Sequence, residues 1–132
     1  MPDTWKDKKV LVVEDDKFLG DLLAKHFTQE GFHFDLAVDG EAAMKKAQEN
    51  KPDLVLLDLF LPGIDGYEVL KRLKADSTLA PMPVIILSNL GQKDEIDKAM
   101  ALGAVDFLVK AKFDLFDIVS KVKNILSTSG SI

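Results

Sequence analysis

Five side chains with chemistry to offer stand where runs of apolar residues stop. Val10-Leu11-Val12-Val13 runs through Glu14 into Asp15-Asp16, Leu54-Val55-Leu56-Leu57 runs into Asp58, Val84-Ile85-Ile86-Leu87 into Ser88, and Phe107-Leu108-Val109 into Lys110. Short runs of β-branched residues and leucine read as strands buried on both faces of a parallel sheet. In such open sheets the ligand crevice lies beyond the carboxyl ends of the strands. The strand ends would therefore pool three carboxylates, a hydroxyl and an ammonium group. That set suits a divalent cation and a phosphoryl group.

The three carboxylates, Asp15, Asp16 and Asp58, repel one another and raise each other's pKa unless a cation neutralises them. Oxygen donors without His or Cys favour Mg2+, Mn2+ or Ca2+. Mg2+ takes one or two carboxylates and completes its shell with waters and a phosphate oxygen. Asp58, alone at the end of its strand, is best placed as a nucleophile, and aspartyl phosphates are established carboxylate chemistry. Phosphoryl transfer is mostly positioning and electrostatics. The Lys110 ammonium could cover one phosphoryl oxygen as a point charge, and the Ser88 hydroxyl could donate to another. Taken singly, each residue has an ordinary role. Asp16 fits an N-cap well, Ser88 could be a cap, Lys110 a solvated lysine and Phe107 a packing residue. Those roles do not explain why every polar stop falls at one end of one sheet.

The elements that position these groups alternate strictly. Strands are expected at about Lys9–Glu14, Phe34–Val38, Asp53–Leu57, Val84–Leu87 and Val105–Val109. Between them, apolar residues recur at helical spacing. The inward faces read as Phe18, Leu19, Leu22, Leu23 and Phe27 in the first helix and Ala43, Met44 and Ala47 in the second. Val69, Leu70 and Leu73 serve the third, Ile96, Ala99 and Met100 the fourth. Leu115, Ile118, Val119, Val122, Ile125 and Leu126 line the fifth. Gly31 and Gly103 punctuate helix ends. Five strands alternating with five helices make a βαβ chain of the α/β class.

Bulk properties narrow the function classes. The 132 residues suffice for one domain with a real core. A net charge of −5 leaves no basic footprint for nucleic acid. With no cysteine, disulfides and thiol chemistry are excluded. His26 and His33 lack ligand-like spacing. No apolar run approaches the ~20 residues of a membrane helix, and the first residues carry no apolar signal core. A cytoplasmic protein without nucleic-acid or membrane contacts is expected.

Glu14-Asp15-Asp16, then Asp58-Leu59-Phe60-Leu61-Pro62-Gly63-Ile64-Asp65-Gly66, then Ser88, then Asp106-Phe107-Leu108-Val109-Lys110 together resemble the receiver domain of two-component response regulators. The resemblance spans residues 9–127, leaving 1–8 as an N-terminal extension and 128–132 as a tail or linker stub. It implies a doubly wound, flavodoxin-like sheet of five parallel strands in the order 2-1-3-4-5, with five helices. By position, Asp58 resembles the phosphoacceptor, Asp15 and Asp16 the acidic pair that holds Mg2+ (Mn2+ as the alternative ion), and the Phe60 carbonyl a further metal ligand. Ser88 resembles the switch hydroxyl, Lys110 the phosphoryl-binding lysine and Phe107 the rotating aromatic. The implied donor is a sensor histidine kinase or a histidine phosphotransfer domain. The implied output is a partner protein reading the face of helix four, strand five and helix five, through which family members often dimerise.

Several positions depart from the family pattern. Ala111 follows Lys110 where proline is usual. A cis bond before a non-proline residue costs ~2.5–4 kcal/mol, so a trans Lys110–Ala111 bond is expected. Asn89 follows Ser88 where Ala or Gly is usual. Phe60 and Leu90 are apolar where polar side chains can orient an attacking water, so a long-lived phosphorylated form is expected. Three rival readings remain. A phosphorylation-independent docking module is opposed by the complete set Asp15, Asp16, Asp58, Ser88 and Lys110. A phosphatase of another aspartyl-nucleophile family would need a second Asp at Phe60. A flavodoxin-type protein would need a hydroxyl- and glycine-rich loop after the first strand.

Overall fold

The computed structural model describes residues 5–89 and 91–129. Five strands form one parallel sheet: β1 (Lys9–Val13), β2 (His33–Ala37), β3 (Leu54–Leu57), β4 (Val84–Ser88) and β5 (Asp106–Val109). Between and after them run α1 (Lys17–Gln29), α2 (Gly40–Asn50), α3 (Gly66–Ala75), α4 (Lys93–Ala101) and α5 (Leu115–Ser129). The spatial order is β2-β1-β3-β4-β5, the order expected above. A short 3-10 turn, Lys110–Lys112, follows β5. No described helix is long and apolar enough to cross a membrane.

Successive strand residues point to opposite faces, and the core accordingly divides into two layers. Leu11, Val13, Val55, Leu57, Val84 and Ile86 pack against α2, α3 and α4. Val10, Val12, Leu54, Leu56, Ile85 and Leu87 pack against α1 and α5. This two-sided burial explains why the central strands carry no polar alternation.

Three helices, α1, α2 and α3, start on side-chain caps. The carboxylates of Asp16, Asp39 and Asp65 accept from the backbone N–H groups of Leu19, Ala42 and Glu68 at 3.2, 2.8 and 3.0 Å. Each satisfies a donor that the first helical turn leaves unpaired. Gly31 and Gly103 follow the C-caps of α1 and α4 with φ of 99° and 108°.

Some expected inward residues face out. Phe18 is 74 % exposed. It lies nine residues before Phe27, and at ~100° per residue that places the two on opposite sides of α1, about 180° apart. Met100 is 43 % exposed, because Ala99 alone buries α4. β2 runs one residue earlier than expected, leaving Val38 outside it and 49 % exposed. At the N-terminus Trp5 packs against the α1–α5 layer, and its indole N–H donates to the Glu30 carbonyl at 3.1 Å. At the other end α5 continues through Ser129, into the segment expected to be tail.

Candidate functional site

The register of the sheet builds the site. Val13 pairs with Leu57, so the next residues, Glu14 and Asp58, emerge side by side. The ladder still holds both. The Glu14 N–H donates to the Ala37 carbonyl at 2.9 Å, and the Asp58 N–H to the Val13 carbonyl at 3.0 Å. Asp58 is 4 % exposed and Glu14 1 %. One Asp58 oxygen, Oδ1, accepts from the Phe60 backbone N–H at 3.0 Å. The other, Oδ2, lies 3.1 Å from Nζ of Lys110. The same ammonium lies 2.7 Å from Oε1 of Glu14. Oε2 of Glu14 accepts from the Asp16 N–H at 3.2 Å.

Two largely buried carboxylates thus share one cation. Burial is the main force on Glu14 and pushes its pKa from the ordinary 4.5 to about 7. The Lys110 ammonium opposes the rise and the charge of Asp58 adds to it. For Lys110, burial works against its charge. The contact with Glu14 and the field of Asp58 outweigh it, so the ammonium is held above its usual range.

Oxygen atoms of Glu14, Asp15 and Asp58 all lie within 4.8 Å of one another. Asp15 is exposed and opens this group to solvent. An all-carboxylate set with excess negative charge and access from water fits a hard divalent cation such as Mg2+ or Mn2+. Asp16 is not part of the group. Its side chain caps α1, two residues beyond the end of β1. The pair that converges on Asp58 is therefore Glu14 with Asp15, one residue earlier than Asp15 with Asp16. Sequence reasoning passed over Glu14 as the last residue of a strand. The signal was its place directly after the last apolar residue, the same place Asp58 has after Leu57.

The remaining candidates lie on neighbouring elements. Ser88 ends β4, fully buried, opposite Val109 and so one residue from Lys110 in the register. Phe107 stands opposite Ile86, half-buried, and packs against the α2–α4 core layer. Phe60 is 48 % exposed, with its backbone in the turn that follows Asp58. The Lys110–Ala111 bond is trans, as expected without proline. Asn89 is exposed, and Leu90 lies outside the described residues. Gly66 closes the turn after Asp58. Its N–H donates to the Leu59 carbonyl at 2.8 Å, and a Cβ there would fall 2.4 Å from the Asp58 carbonyl oxygen. Only glycine permits that approach.

The family model for the response regulator receiver domain matches residues 10–123. The chain is 38 % identical over 125 residues to the alkaline phosphatase synthesis transcriptional regulatory protein PhoP of Bacillus subtilis, covering 93 % of this chain and 50 % of that protein. It is 34 % identical over 124 residues to the DNA-binding dual master transcriptional regulator RpaA of Synechocystis sp., covering 94 % and 51 %. The chain thus spans about half the length of these curated relatives. Among solved structures, a two-component response regulator from Clostridium difficile superposes with a TM-score of 0.88 at 28 % identity, covering 95 % of this chain and all of that one.

Proposed function

We propose that this chain, which belongs to the response regulator receiver domain family of two-component signalling, takes a phosphoryl group onto Asp58 and thereby changes the affinity of its α4–β5–α5 face for a protein partner. One observation carries the reading: a buried Asp58 carboxylate in contact with Lys110, with the carboxylates of Glu14 and Asp15 converging on it.

In the proposed transfer, Oδ2 or Oδ1 of Asp58 attacks the phosphorus of a phosphohistidine on a sensor histidine kinase or a histidine phosphotransfer domain. The O–P bond forms as the N–P bond breaks, and the imidazole nitrogen leaves with the electron pair and takes up a proton. Lys110, which holds Oδ2 of Asp58, would meet the charge on the incoming oxygens. The Phe60 N–H fixes the orientation of the carboxylate. Glu14 and Asp15, with Asp58 and the Phe60 carbonyl, would hold Mg2+, which when bound supplies charge neutralisation for the phosphoryl oxygens. Ser88 would then donate to the new phosphoryl group and Phe107 would turn into the space it leaves, so that a local charge change biases a two-state surface. In hydrolysis water attacks phosphorus, the bond from phosphorus to the Asp58 oxygen breaks, the carboxylate leaves with the electron pair and inorganic phosphate is released.

The partner would be a protein, with a second copy of the chain among the candidates for the α4–β5–α5 face, and the setting the cytoplasm. The acidic domain itself is proposed to contact neither nucleic acid nor membrane. DNA binding in the longer relatives belongs to those whole proteins.

Intact mass after incubation with acetyl phosphate and Mg2+ tests the reading. One phosphate should appear on wild type, none on Asp58→Asn, and none when EDTA replaces Mg2+. An adduct that persists on Asp58→Asn would place the chemistry elsewhere.

A further inference from the structure

We propose that Tyr67 is a positioning residue that latches α4 in its resting place and ties it to the turn after Asp58. The inference deepens the receiver reading and rests on it for its functional consequence.

α4 is weakly held. Of its nine residues only Ala99 is buried, and a cleft of about 320 Å3 separates it from α3, lined by Asp65, Tyr67, Glu68, Lys71, Lys98 and Leu102. Tyr67 crosses this gap. Its hydroxyl donates to the Glu95 carbonyl at 3.2 Å, and Nζ of Lys98 sits 4.2 Å from its ring centroid. The two contacts grip α4 one turn apart, by different physics: a hydrogen bond and a cation over an aromatic face. The Glu95 side chain also accepts from the Gln92 N–H at 3.2 Å. The gripped carbonyl therefore belongs to the capped first turn, just past the Ser88 loop. Burial, then the charges of Glu95, Asp94 and Asp65, push the Tyr67 phenol up, so it stays a donor at any working pH.

The other end of the latch is rigid. Tyr67 directly follows Gly66, which is bonded to the Leu59 carbonyl and packed on the Asp58 carbonyl too closely for a methyl group. The path from phosphoacceptor to α4 thus runs Asp58–Gly66–Tyr67–Glu95, separate from the path through Ser88. Movement of Ser88 toward a phosphoryl group would draw on the N-terminal loop of α4, and the Tyr67 contacts oppose that displacement. Tyr67 sets how much of the unphosphorylated population already has α4 displaced.

Hydrogen–deuterium exchange on the full chain, without any phosphodonor, tests this on wild type, Tyr67→Phe and Tyr67→Leu. Tyr67→Phe keeps the ring and loses the hydroxyl. Its α4 amides should exchange about five-fold faster, the change that one ordinary net hydrogen bond produces, with the other helices unchanged. Tyr67→Leu should go further. Labelling of Asp58 by acetyl phosphate and Mg2+ should quicken in Tyr67→Phe by a similar factor. Unchanged α4 exchange in Tyr67→Phe overturns the latch, and so does an equal rise in all five helices. Raised α4 exchange with no phosphate adduct on wild type keeps the latch and removes the phosphoryl reading. An adduct with unchanged α4 exchange does the reverse.

Discussion

Glu14→Gln should make the metal-free protein more stable at pH 8 and leave it nearly unaltered at pH 5. In the native fold burial pushes the Glu14 carboxyl from 4.5 to about 7. Between those pH values the unfolded chain has released this proton and the folded chain keeps it. Folding stability therefore falls as pH rises through the window and levels off above it. The gap between 4.5 and about 7 corresponds to roughly 3 kcal/mol at ~1.4 kcal/mol per pH unit, an upper bound because local relaxation eases a buried charge. Gln keeps the carbonyl oxygen that accepts from the Asp16 N–H and cannot ionise, so the loss should vanish in the variant.

Urea unfolding in EDTA at pH 5, 6, 7 and 8 measures this, followed by fluorescence of Trp5, the only tryptophan. At the ~1–3 kcal/mol/M slopes usual for urea, the variant should gain at most about 1–3 M in midpoint over wild type between pH 5 and 8, with slope unchanged. A constant difference across that range would refute the argument from burial. Saturating Mg2+ should then restore wild type at pH 8, since a ligand that binds only the folded state adds RT ln(1 + [L]/Kd). It should do much less for Glu14→Gln.

Asp16→Ala should remove the α1 cap and cost about 1 kcal/mol in urea unfolding, while Mg2+-dependent phosphorylation of Asp58 continues. Abolished labelling with native stability would return Asp16 to the metal site. Gly66→Ala must move the Asp58–Leu59 backbone, since its Cβ would meet two backbone atoms at 2.4 and 2.5 Å. A loss of about 2–4 kcal/mol with loss of labelling is expected, and near-native stability would show that the turn can yield. Phe60→Asn should shorten the lifetime of phosphorylated Asp58, as read by intact mass after removal of the donor. An unchanged decay would mean that the aromatic ring does not shield the phosphoryl group from water.

Most of the fold was legible because the central strands are buried on both faces and carry nothing but apolar residues, as Leu54–Leu57 and Val84–Leu87 show. The edge strand β2 gave a weaker signal. His33 is exposed and Phe34–Leu36 are only partly covered, the polar and apolar positions mix, and the strand expected from them begins and ends one residue late. Counting apolar residues along α1 admitted Phe18 to the inward face, although its helical phase opposes Phe27. Residue spacing within one turn does not reveal such a phase error; the angle summed over the whole helix does.

In the candidate site the same distinction operates at the scale of one residue. An Asp-Asp pair after an apolar run draws attention as a unit, but the sheet and the helix claim its neighbours separately. The ladder holds Glu14 through the Ala37 carbonyl, so Glu14 is aimed by the sheet at Asp58 and Lys110. Asp16 already has its side chain committed to the N–H of Leu19, so it is aimed by the helix. Asp15 lies between the two regimes, exposed yet within reach of both carboxylates. What decides membership of such a site is the last residue the sheet still bonds, not the first residue with the right chemistry. By that rule Glu14 and Asp58 face each other from the ends of β1 and β3, and Asp15, one residue beyond the ladder, completes the group of three carboxylates.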